Sequence, residues 1–358
     1  KLDNVVIGAS HQSKIWQVNI ASDQATGYAS WNESNSGRGM GRVTARLATL
    51  NIQKGAGGDA NEALESNSDA VSRIPALDII AEDFQLFGKK LGRLELNANN
   101  VRVSVGSEWR INKLALINPD AELRAAGNWM SFGKNNTSNL TYALDINDAG
   151  KLLERFGFVG VVRGGKGKLD GDVSWKGLPF SLDIPTLSGQ VHMDVHTGQF
   201  LKVDPGAAKL LGVLNLQALP RRLALDFRDV FSEGFAFDNI VGTASIAQGI
   251  ATTDNLKMTG VAASVLMNGS ADIAKETQNL HLVVIPEVNL GTASLVALAI
   301  NPVVGVGTFL AQLFLRNPLM KTLTFEYNVS GSWADPQVVK QERTADAGTN
   351  SNAKPVAR

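Results

Sequence analysis

Alternation with a period of two runs through this sequence and limits its fold more than any other feature. Successive side chains of a strand point to opposite faces, so an apolar–polar–apolar reading marks a segment with one wet face and one dry one. Trp16, Val18 and Ile20 alternate with Gln17 and Asn19, and Val43, Ala45 and Leu47 with Arg42, Thr44 and Arg46. Leu94, Leu96 and Ala98 face away from Arg93, Glu95 and Asn97. The pattern returns in Leu140-Tyr142-Leu144-Ile146, Leu169-Gly171-Val173-Trp175, Phe180-Leu182-Ile184 and Val191-Met193-Val195. It continues in Leu223-Leu225-Phe227, in Val261-Ala263-Val265-Met267 on to Ala271 and Ile273, in Leu280-Leu282-Val284 and in Phe325-Tyr327-Val329-Gly331-Trp333. About a dozen strands are expected, parted by turn signals such as Asn32–Gly41 and Asn97–Asn100.

Helix signals are few. Ala149 to Phe156 reads as one short amphipathic helix. Asp204-Pro205 offers a cap and a first helical residue for a helix through Leu210-Leu211. From Thr292 to Met320, breaks at Asn301-Pro302 and Asn317-Pro318 predict two or three short helices in sequence. Lys54–Ser72 reads as a mobile loop, and residues 337–358 as a disordered tail.

So many strands create a long apolar face that so few helices cannot cover. The sheet must fold onto itself as a sandwich, close as a barrel, or leave an open groove for an apolar ligand. Periodicity leaves all three open. Composition removes other classes. Lys+Arg 34 balance Asp+Glu 34, which argues against a nucleic-acid binder, and with 44% hydrophobic residues the chain has enough for a sizeable core. Cysteine is absent, so thiolate metal sites and disulfides are excluded. The chain opens on Lys1 with no signal peptide, as expected of a piece of something longer.

The chemical motifs fail on inspection. Gly160-Val161-Val162-Arg163-Gly164-Gly165-Lys166 has phosphate-loop spacing, but Gly167 stands where a hydroxyl should hold magnesium, and a strand follows. Gly37-Arg38-Gly39-Met40-Gly41 precedes a strand and reads as a turn. His192 and His196 lie on one strand about 13 Å apart, too far for a shared metal. His11 and His281 have no acidic or nucleophilic partner nearby in sequence. Asp226 and Asp229 beside Arg221, Arg222 and Arg228 read as ion pairs. No catalytic site, metal or cofactor is expected.

Val288 to Leu315 carries no charge. A helix from Pro302 to Leu315 is about 21 Å long, short of the roughly 30 Å hydrocarbon core, so it does not span a bilayer. Two readings remain: a plug at the end of the β structure, or an interfacial element that meets a membrane through Val304, Phe309, Leu310, Leu313 and Phe314.

The runs Val203-Asp204-Pro205-Gly206, Leu219 to Phe231 and Gly234-Phe235-Ala236-Phe237-Asp238 resemble the C-terminal region of a large member of the bacterial AsmA-like family, which is TamB-related. Asn301 to Gly305 and Tyr327 to Trp333 extend the likeness, which is specific over 187–336 and weaker, as repeated strand units, over 1–186. The resemblance implies a mainly β fold: an elongated antiparallel sheet curled into an open apolar groove, of the kind also seen in chorein-type bridge proteins, with short helices near the C-terminus. It further implies a periplasmic bridge between inner and outer membranes that conducts phospholipid, its full length anchored in the inner membrane and its C-terminal helices at the outer one. An alternative is a scaffold for outer-membrane assembly. The expected lipid-facing residues are Leu223, Leu225, Phe227, Phe235, Phe237, Val261, Val265, Met267, Leu282, Val284, Phe325 and Tyr327.

Overall fold

The computed structural model describes residues 3–34, 40–53, 74–101, 103, 106–132, 135–201, 234–261, 263–286, 305–316 and 323–341. They form a sheet of seventeen strands laid side by side. The first nine are β1 (Val6–Gln12), β2 (Ile15–Ala21), β3 (Ala25–Asn32), β4 (Arg42–Ile52), β5 (Ala76–Leu86), β6 (Lys89–Val101), β7 (Ser107–Ile117), β8 (Ala121–Phe132) and β9 (Asn135–Ile146). Helix α1 (Ala149–Phe156) follows, then β10 (Val162–Lys176) and β11 (Ser188–Phe200). Next come β12 (Phe235–Ala247), β13 (Ile250–Thr259), β14 (Ala263–Asp272) and β15 (Thr277–Pro286). Helix α2 (Val306–Arg316), β16 (Phe325–Ser332) and β17 (Pro336–Lys340) complete the order.

Each strand pairs with the next in sequence, antiparallel throughout except for the parallel pair β4–β5. A parallel pair needs a connection that runs back along the strand, and the stretch read as a loop, 54–72, stands between them and lies outside the described residues. The sheet is open and curved. Register shifts interrupt the ladders between Ala81 and Phe84, Asn97 and Ala98, Ile111 and Leu114, Val241 and Ser245, and Thr253 and Leu256. Each such bulge bends its strand and tightens the local twist.

Some expectations need correction. Phe180-Leu182-Ile184 is not a strand: Pro179 and Pro185 withhold backbone donors, and the segment turns into a 3₁₀ helix over Ile184–Thr186. The stretch read as a tail opens with a strand, β17, paired with β16 from Tyr327↔Lys340 to Gly331↔Pro336. The sheet runs on from 1–186 into 187–336, with β10 and β11 paired from Val162↔Phe200 to Ser174↔Ser188. The helix read at Asp204-Pro205 falls outside the described residues, as does the stretch 342–358.

Helix α1 matches its sequence signal. The Asp148 side chain accepts from the Lys151 N–H at the start, and Gly157, at φ 99, ends it in the left-handed conformation. The Arg155 side chain donates to the Asp120 carboxylate at 3.0 Å and to the Lys90 carbonyl at 2.9 Å. These bonds tie α1 to the same rim of the sheet as the β5–β6 turn.

Candidate functional site: a continuous apolar face

Residues paired across neighbouring strands share a face, so the register traces that face strand by strand. One row runs Ala9, Val18, Ala29, Ala45, Ile79, Leu96, Leu114, Ala125, Tyr142, Gly171, Val191, from β1 to β11. Four residues along β11 on the same face, Val195 begins the second row: Ile240, Met258, Val265, Val284, Phe325. Beside it runs Met267, Leu282, Tyr327. Every member except Gly171 carries an apolar or aromatic side chain, and none carries a charge.

The opposite face holds the ions. Arg46 pairs with Asp78 at 3.0 Å, Lys113 with Glu95 at 2.6 Å, and Arg124 with Glu122 at 2.7 Å and Asp145 at 3.1 Å. The hydrogen bond from Lys113 holds the Glu95 carboxyl below its ordinary range. His192 lies 3.4 Å from Asp170 and His196 2.9 Å from Asp194, so each histidine has its own carboxylate. His281, which has no acidic neighbour in sequence, meets Glu326 at 3.2 Å and Asn268 at 3.1 Å across the ladder. No group of histidines and carboxylates able to hold a metal ion occurs among the described residues.

The expected lipid-facing residues gather on the apolar face. Phe235, Phe237, Val265, Met267, Leu282, Val284, Phe325 and Tyr327 lie in or against one cluster, together with Val195, Ile240, Met258, Leu280 and Val329. Strict alternation would set Phe237 against Val195. The phase changes where Gly165 (φ 88) and Thr197 (φ 52) turn left-handed, and the Phe237 ring then packs over Gly198, where a β-carbon would come within 2.4 Å of it. Val261 does not join: it sits in the β13–β14 turn, 77% exposed. Leu223, Leu225 and Phe227 lie outside the described residues. Trp109 and Trp129 escaped the periodicity reading because they sit near strand ends. They pair across β7 and β8, and the fully buried Leu178, from the β10–β11 connection, joins their cluster.

Helix α2 lies on the other side of the sheet. Val306 and Leu313 are buried with Leu266, Val283 and Ile285, and Phe309, Leu310 and Phe314 pack against them. The side chains read as membrane-facing thus have a protein partner, and Val304 falls outside the described residues. Leu266 and Val283 sit between members of the apolar face, which makes β14 and β15 apolar on both sides and explains the unbroken run Leu282-Val283-Val284-Ile285. Under the helix, the Lys257 ammonium lies 4.6 Å from the Phe309 ring centre, and burial pushes its pKa down to about 8. No helix among the described residues is long and apolar enough to cross a membrane.

Comparison with known proteins fits this geometry. A family model described as YhdP protein matches residues 1–338. The intermembrane phospholipid transporter YhdP of Escherichia coli (strain K12) is 31% identical over 265 residues, which cover 74% of this chain and 21% of that protein. The chain therefore spans about a fifth of the length of that relative. No solved structure matches.

Proposed function

This chain belongs to the YhdP family, and from that premise we propose that it forms one section of a hydrophobic groove conducting phospholipid between the inner and outer membranes. The observation that carries the reading is the apolar face that two rows trace, Ala9 on β1 to Val191 on β11 and Val195 on β11 to Phe325 on β16, backed by a charged outer face.

The chemistry is that of a solvent. A lipid leaving a bilayer exposes its acyl chains to water at a cost of about 0.8 kcal/mol per CH₂. An apolar face that receives the chains while the headgroup stays in water removes most of that barrier. Such a groove needs no cofactor, because no bond is made or broken. The mostly aliphatic lining of Val, Leu, Ile, Ala and Met meets acyl chains through non-directional contacts, so a lipid can slide.

The same proposal sets the chain in the periplasm, with its full length anchored in the inner membrane and α2 at the outer membrane. Docked on the sheet, α2 would meet a bilayer through Leu315, which is 83% exposed, while Phe309, Leu310, Leu313 and Phe314 hold it to β14 and β15.

The test is native mass spectrometry and lipid extraction of the purified chain. A conduit carries co-purifying phospholipid that Leu282→Asp removes. A lipid-free protein that also takes none up from vesicles would overturn the reading.

A further inference from the structure

A group of lysines on one rim of the sheet stands outside the ion pairs of the outer face. Lys89 and Lys90 open β6, and Lys151 lies on α1; none makes an ion pair among the described residues. Exposed apolar side chains lie close to them in sequence. Phe87 is 47% exposed at the β5–β6 turn, Phe156 46% at the end of α1, and Val159 69% just beyond it.

The two elements are in contact. Arg155 donates to the Lys90 carbonyl at 2.9 Å, and a β-carbon placed on Gly157 would come within 2.8 Å of the Lys89 Nζ. The Lys89 ammonium therefore sits at the carbonyl end of α1, where a cation is favoured, at the glycine that follows Phe156. Leu153 and Phe158, on either side of Phe156 in the chain, pack against the apolar cluster of the groove. An apolar path thus leads from the exposed ring down into the groove, with ammonium groups at its outer end.

We propose that this rim is a headgroup station for a single glycerophospholipid, a reading that rests on the conduit function above. The phosphate is held by Lys89, on the α1 side of β6, as a charge-assisted contact in water. The glycerol and first methylenes lie against Phe87, Phe156 and Val159, and the acyl chains pass Phe158 and Leu153 into the groove. An ammonium group and exposed aromatic groups close together match the two halves of such a lipid.

The experiment places a photoactivatable p-benzoylphenylalanine at Phe156 in the chain and, separately, at Tyr142 on the groove face. Each protein is incubated with phosphatidylglycerol vesicles and irradiated, and intact mass reports the phospholipid adduct. Both positions are expected to capture lipid. With Lys89→Glu, the adduct at Phe156 should fall by about two- to fivefold, the scale of one exposed charge contact, while that at Tyr142 persists. Capture at Tyr142 but not at Phe156, or capture at Phe156 untouched by the charge reversal, overturns the headgroup station and leaves the conduit standing. Capture at neither position overturns the conduit itself.

Discussion

Val265 and Leu266 are neighbours on β14, both buried, and they face opposite partners. Val265 pairs with Val284 on the groove face, whereas Leu266 pairs with Val283 beneath α2. Two apolar surfaces with different roles therefore meet on one strand. Truncation separates them. Val265→Ala and Leu266→Ala should each cost about 1–3 kcal/mol in denaturant unfolding, since each removes buried methyl groups. Only Leu266→Ala should loosen α2, seen as faster hydrogen exchange over Val306–Arg316. Equal exchange in the two variants would contradict the assignment of faces.

Lys257 makes stability depend on pH in the alkaline range. Its folded pKa, about 8, lies below the ordinary 10.5, so between those values the unfolded chain binds more protons than the folded one. Stability gained at Lys257 should therefore rise as pH increases from about 8 toward 10.5. Lys257→Met should flatten that rise, checked by urea midpoints at pH 7.5 and 9.5, about 2 pH units apart.

Helix α1 is held to the rim through Arg155 and Asp120, whose side chains are mostly buried. Asp120→Asn should cost about 1–3 kcal/mol, because a partly buried guanidinium loses its charged partner. Hydrogen exchange in Ala149–Phe156 should rise while the strands far from it stay protected. An unchanged exchange pattern would mean that the helix is held by its apolar contacts alone.

Leu178 is fully buried in one cluster with Trp109 and Trp129, and the Trp175 indole N–H donates to its carbonyl at 2.9 Å. Leu178→Ala should cost about 2–5 kcal/mol and admit water to the two indoles. A red shift of tryptophan emission in the folded variant is the expected signal.

Helix α2 offers a test of the outer-membrane proposal. Leu315→Lys changes only the outward surface, so it should leave the melting transition within a few degrees of the parent and weaken vesicle binding by about three- to tenfold. Leu313→Lys puts a charge against Val283 and Leu266 and should destabilise the docked helix whether or not membrane is present. A parent chain that never binds vesicles would remove the membrane role.

The β character of the chain, its shortage of helices and the alternation of individual strands were readable from residue order alone. Period two is a local property of the backbone, and Leu140 to Ile146 or Leu280 to Val284 declare it within a few residues. Strands with weaker contrast, such as β3 with Gly27 and Ser30 or β8 with Ala125 and Gly127, did not, because their small side chains are placed by their neighbours. The resemblance carried by the C-terminal motifs, and not the alternation, pointed to a lipid groove.

Residue order determined that this chain makes a sheet with one apolar face. Tertiary structure decided how that face joins up and what lies behind it. Register sets which apolar residue of one strand meets which of the next, and it depends on pairings between residues up to dozens of positions apart. Bulges such as Ile111 to Leu114, and the left-handed Thr197, shift the phase in ways that a fixed period cannot anticipate. The same holds for α2. Its apolar stripe announces a surface to be covered, but whether sheet or bilayer covers it depends on Leu266, Val283 and Ile285, which the fold alone brings beneath it.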